Sequence, residues 1–175
     1  MRYVFLLYSI FMFSCKKENR DKIQINNISQ QYEWYKNTKN EIIKQSNIKH
    51  DRICIWEYGE GVFKDSFFIN NNRVVKIKVY KNGKLYLDKV FNKNNLFELR
   101  IKYYPNGYKQ TEGILYYGSY IGLYKSWYEN GQLHEFGLQY TSNFVSNYKT
   151  WTRKGECKTI IEKKDTTIQM PNIFN

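Results

Sequence analysis

Hydrolytic or group-transfer chemistry needs an acid, a base or a nucleophile held in register with one another. The carboxylates placed to take part are Glu57, Glu60, Glu112, Glu129 and Glu135, but they do not recur in one column of the chain. Asp88 and Glu112 do occupy equivalent positions, as two residues of a solvated face would. His50 and His134 are isolated, and no C-x-x-C or Cys/His spacing exists, so no metal site is expected. The glycines do not cluster ahead of a helix as a phosphate-binding loop requires. The expectation is a chain with no catalytic residue, no metal and no cofactor. What remains is a set of aromatic and basic side chains suited to binding: Trp56, Tyr80, Tyr104, Tyr128, Lys78 and Lys102.

Those residues are organised by a repeat. Gly59, Gly83, Gly107, Gly131 and Gly155 are each 24 residues apart, and the columns beside them are aromatic. Four residues before each glycine stand Ile55, Val79, Tyr103, Trp127 and Trp151; three before stand Trp56, Tyr80, Tyr104, Tyr128 and Thr152. Residues 75–80 and 99–103 alternate apolar with polar, the period of a strand with one apolar face. The Asn-Gly pairs then mark hairpin turns. At Pro105-Asn106-Gly107, proline fits the first central position of a type I turn and the glycine a left-handed bulge, giving a three-residue loop. Gly118-x-x-x-Gly122 turns the chain into the next unit.

The expected fold is therefore all-β: an open antiparallel meander of stacked 24-residue hairpins, with a short N-terminal helix. Adjacent strand residues point to opposite faces, so Val79, Tyr103, Trp127 and Trp151 are expected to form one ladder and Tyr80, Tyr104 and Tyr128 another on the reverse face. Such columns serve either packing between repeats or, where exposed, recognition.

The segments YYPNGYKQTEG (103–113), GSYIGLYKSWYENGQLHEFG (118–137) and, more weakly, FVSNYKTWTRKG (144–155) resemble the MORN-repeat variant family, which includes YwqK-type antitoxin proteins. The likeness covers about residues 74–158. Ser142 and Ser146 replace the inter-repeat glycines of the last unit, and Arg-Lys replaces the acidic-Asn pair before Gly155. The resemblance implies a non-enzymatic repeat protein that binds a protein partner, a toxin in its most specific version.

Residues 1–15 read MRYVFLLYSIFMFSC: one basic residue, an apolar core too short to span a bilayer, then Ser14-Cys15. This resembles the lipobox of bacterial lipoproteins, which implies cleavage of a signal over 1–14 and acylation at Cys15. Lys16 where the inner-membrane retention signal has Asp implies the outer membrane of a Gram-negative cell. Residues 15–27 read as a polar lipid-anchored tether, and 28–52 as an amphipathic helix capping the open edge of the first hairpin. Residues 53–165 form the repeat domain and 166–175 a tail. Cys54 and Cys157 then lie about 40 Å apart at strand spacings of ~4.8 Å, too far for a disulfide between them.

Composition agrees with the strands. The 175 residues hold 4 Trp, 17 Tyr and 11 Phe but no alanine, the best helix former. Of the net charge of +12, one unit lies in residues 1–15, four in 16–52 and seven in 53–175. In an exported chain that charge points away from nucleic acid. It suits an acidic protein partner, or an anionic membrane surface gripped by lysine beside aromatic rings, the second function considered.

Overall fold

The structure, a computed structural model, describes residues 22–25, 27–140, 143–161 and 168–171. The expected signal segment and Cys15 lie outside the described residues. Ten strands form one open antiparallel sheet in which each strand pairs with its sequence neighbours: β2 (Arg52–Tyr58), β3 (Phe63–Asn70), β4 (Arg73–Lys81), β5 (Lys84–Phe91), β6 (Phe97–Tyr103), β7 (Lys109–Tyr116), β8 (Ser119–Trp127), β9 (Leu133–Tyr140), β10 (Asn143–Trp151) and β11 (Cys157–Ile161). The meander expected from the 24-residue period is the fold. β2 and β11 are its two edges, so Cys54 and Cys157, both free and exposed, sit at opposite ends.

Helix α1 (Ile28–Ser46) starts where the side chain of Asn27 accepts a hydrogen bond from the Gln30 N–H at 2.9 Å. Its buried residues, Gln31, Trp34, Tyr35, Thr38 and Ile42, recur at three- and four-residue spacing and make one stripe. That stripe does not cap the open edge of the first hairpin, as expected, but lies on one face of the sheet against β4, β5, β6 and β8. The reason is area: the face offers Val90, Phe97, Leu99, Ile114, Ile121, Leu123 and Leu138 to bury, whereas an edge offers one row of backbone groups.

Two other boundaries change. Within the segments read as tether and tail, β1 (Lys22–Ile25) and β12 (Ile168–Pro171) pair antiparallel as a separate ribbon. Ile25 and Met170 are buried in the same core as Trp34, whose indole N–H donates to the Pro171 carbonyl at 3.0 Å. The alternation of Ile23 and Ile25 across this ribbon is too short to distinguish from a polar linker by pattern alone.

The apolar ladder also needs correction. Val79 lies opposite Leu87, and Leu87 opposite Lys102, so Val79 shares a face with Lys102 and not with Tyr103. Lys102 in turn aligns through Thr111 with Ser126, and Ser126 through Glu135 with Thr150. Tyr103, Trp127 and Trp151 therefore share one face, and Val79 is on the other.

The cause is turn length. Asn82 and Gly83, at φ of 50° and 74°, form a two-residue turn closed by Lys81 opposite Lys84. Pro105-Asn106-Gly107 forms the expected three-residue loop, with the Gly107 N–H donating to the Tyr104 carbonyl at 2.9 Å and Gly107 at φ 89°. Glu129-Asn130-Gly131 and Arg153-Lys154-Gly155 repeat that loop. One residue of difference within a hairpin exchanges the two faces of everything beyond it.

Candidate functional site

The three-residue loops are joined to one another by a repeated pair of hydrogen bonds. The Tyr104 hydroxyl donates to the Trp127 carbonyl at 2.9 Å, and the Asn106 amide to the Glu129 carbonyl at 2.7 Å. One unit later, the Tyr128 hydroxyl donates to the Trp151 carbonyl at 2.8 Å and the Asn130 amide to the Arg153 carbonyl at 3.1 Å. Each asparagine also accepts through Oδ1 from the backbone two residues on, Tyr108 or Gln132. Tyrosine and asparagine thus hold neighbouring hairpins in register. The half-buried rings of Tyr104 and Tyr128 act first as clamps between repeats.

The six expected binding residues are not brought together. Trp56 aligns through Asp65 with Val79, placing it on the face of Lys102. Lys78 aligns through Asp88 with Ile101, and Tyr80 alternates with Val79, so both lie on the opposite face. Tyr104 and Tyr128 stand at the loop rim. No single surface carries all six.

The sheet leaves another surface open. Every residue of β2 is exposed, among them Ile53, Ile55, Trp56 and Tyr58, with Trp56 63% accessible. Trp56 packs on Tyr58 at 5.3 Å between ring centroids, and Tyr58 stacks on Phe63 at 5.2 Å. Lys81 lies 5.5 Å over the Phe63 ring and ends the strip. On the other face Ile53 and Ile55 stand apart from the core. Beside these side chains runs the outer backbone of an edge strand, a row of donors and acceptors able to pair with another strand.

The structure also assembles two polar clusters. Glu112 is buried on the helix face, where it accepts from the Tyr35 hydroxyl at 3.3 Å, from Lys109 at 2.6 Å and from Lys39. Burial pushes its carboxyl up, but the hydrogen bonds and charges of Lys109 and Lys39 outweigh this and hold it down at about 2. Burial and then the charge of Glu112 drive the Tyr35 hydroxyl well above its ordinary value, so it donates at neutral pH. This network ties α1 to β7. No periodicity within the repeats could have announced it, because two of its four members lie on α1 outside them.

The second cluster is Ser126, His134 and Glu135. The Ser126 oxygen is 3.3 Å from His134 Nδ1 and donates to Glu135 at 3.2 Å. Glu135 also accepts from Tyr148 at 3.3 Å. A nucleophilic relay needs the carboxylate on the far nitrogen of the imidazole, in series with it. Here imidazole and carboxylate both meet the hydroxyl, which donates its proton to the carboxylate and is itself buried. The Ser126–Glu135 pairing was available from the Asn130-Gly131 hairpin register, which sets the two opposite one another.

Among the described residues no group of three or more His, Cys, Asp or Glu is arranged to hold a metal ion, and no helix is long and apolar enough to cross a membrane. Compared with family models, with curated proteins and with solved structures, the chain matches none of them.

Proposed function

We propose that this chain is a non-enzymatic protein-recognition module of the cell envelope, whose partner adds a strand to the open edge at β2. The observation that carries this reading is the wholly exposed β2, with apolar side chains on both of its faces beside an outer row of backbone hydrogen-bonding groups. Strand addition takes affinity from the main chain and specificity from alternate side chains, here Ile53 and Ile55 on one face and Trp56 and Tyr58 on the other. The lipobox-like start ending at Cys15 adds a lipid anchor and the outer membrane to the proposal. The likeness of 103–137 to the MORN-repeat variant family adds a toxin as the partner, making the chain an antitoxin or immunity protein.

Adhesion to an anionic membrane surface is the less favoured reading. A flat membrane needs the basic side chains on one face, and Lys78 and Lys102 are on opposite faces.

The test is capture of the full-length chain, with its partner, from detergent-solubilised envelopes. Ile55→Lys is expected to abolish a partner seen with the wild-type chain while leaving the thermal unfolding curve unchanged. A partner retained by Ile55→Lys removes the edge from the account.

A further inference from the structure

The clamp between hairpins is missing between the Asn82-Gly83 turn and the Pro105 loop. Tyr80 and Asn82 are the counterparts of Tyr104 and Asn106, yet neither side chain hydrogen-bonds to a described residue of the next unit; Asn82 contributes only its backbone N–H, to the Val62 carbonyl. The two-residue turn at Asn82-Gly83 has the wrong length to reach across. Between that turn and the Pro105 loop lies a groove of about 420 Å³, lined by Lys81, Lys84, Tyr86, Lys102, Tyr103 and Tyr104 and completed by the Asn82 and Gln110 amides.

The groove is built for negative charge. It has three lysines and no carboxylate in its lining. Lys81, Lys84 and Lys102 form no ion pair with a described residue, unlike Lys39, Lys64, Lys76 and Lys109. The nearby carboxylates act on Tyr103 through space, but each is already matched: Asp88 by Lys76 at 3.6 Å, and Glu112 by Lys39 and Lys109. Lys102 sits 5.1 Å over the Tyr86 ring, which holds its charge at the groove.

We infer that this groove binds a phosphorylated sugar, the phosphate at Lys84 and Lys102 and the ring against Tyr86 and Tyr104. Lysine offers a point charge to a tetrahedral phosphate, aromatic faces suit the apolar faces of a sugar ring, and the two amides match hydroxyl groups. The same chemistry is found in a free sugar phosphate and in the headgroup of a phosphorylated glycolipid. Lys81 also borders the β2 strip through Phe63, but Lys84, Lys102, Tyr86 and Tyr104 do not, so the site stands whether or not a strand adds at β2.

Calorimetric titration of the full-length chain in detergent with glucose 1-phosphate, glucose and inorganic phosphate tests the inference. Phosphatidylcholine vesicles with and without a tenth of lipid A separate the two sources. Binding of the sugar phosphate or the lipid A vesicles, tighter than of either fragment, is expected. Lys84→Glu and Lys102→Glu should each weaken it by about tenfold or more, the scale of one lost charge-assisted hydrogen bond. Lys84 is exposed and unpaired among the described residues, so an unchanged melting curve is expected to show that its variant folds. Equal affinity for inorganic phosphate, no binding of either phosphorylated probe, or undiminished binding by both variants overturns the assignment.

Discussion

The hydroxyl of Tyr104 donates to the carbonyl of Trp127, 23 residues further along the chain, at 2.9 Å. That bond recurs one unit later from Tyr128 to Trp151, and has no counterpart from Tyr80. Removing the hydroxyl alone isolates its contribution. Tyr104→Phe is expected to lower unfolding free energy by about 1 kcal/mol in urea, because it leaves a half-buried carbonyl without its donor. Tyr80→Phe should leave the curve unchanged. Equal losses in the two variants would mean that the hydroxyl is not a clamp.

Glu112 makes stability depend on acid. Its folded-state carboxyl is held at about 2 against an ordinary 4.5, so its contribution is fully present above about pH 4.5 and is lost as pH falls towards 2. The size is of the order of 3 kcal/mol at neutral pH. Glu112→Gln should reduce stability at pH 7 and flatten the decline between pH 4.5 and 2. Urea titrations at pH 7, 4 and 3 measure both effects; parallel curves for the two proteins place the acid sensitivity elsewhere.

The seat of α1 is Gly122, at φ 73°, where a Cβ would lie 2.8 Å from Trp34 Cζ3. Gly122→Ala therefore adds backbone strain to a collision with a buried ring and should cost about 2 kcal/mol or more. Gly83→Ala meets the same strain, at φ 74°, but nothing within 4 Å, and should cost about 1 kcal/mol. Denaturant melts of the pair show whether the helix rests on that strand; equal losses would show that it does not.

Cys54 and Cys157 lie on the two edge strands, both exposed and free. Both should react with maleimide in the absence of denaturant, and mass mapping of the untreated protein should find no bond between them. A Cys54–Cys157 linkage would mean that the sheet closes.

The period of 24 was legible because each turn needs a glycine at the same phase, and it fixed the meander and the three-residue loop at Pro105. It could not reveal which face each column takes. Asn-Gly serves both the two-residue turn at Asn82-Gly83 and the three-residue loop at Asn106-Gly107. Contacts from the next hairpin, the Tyr104 and Asn106 clamps, accompany only the second. Val79 and Tyr103 consequently occupy opposite faces despite equivalent positions in sequence. The helix was visible from Tyr32, Tyr35 and Ile42, but not its seat, because Trp34 meets Phe97 and Gly122, on strands far along the chain. Glu112 stands in the same column as Asp88 and reads as solvated until α1 covers it with Tyr35 and Lys39.

The central claim is that a partner strand pairs along β2. Photo-crosslinking in cells tests it most directly, with a photoreactive residue at Trp56 on that edge and at Tyr117, 72% exposed on the β7–β8 turn. A discrete adduct from position 56, absent from position 117 and lost when Ile55→Lys is added, is the predicted result. No adduct at 56, or one that persists with Ile55→Lys, would contradict it.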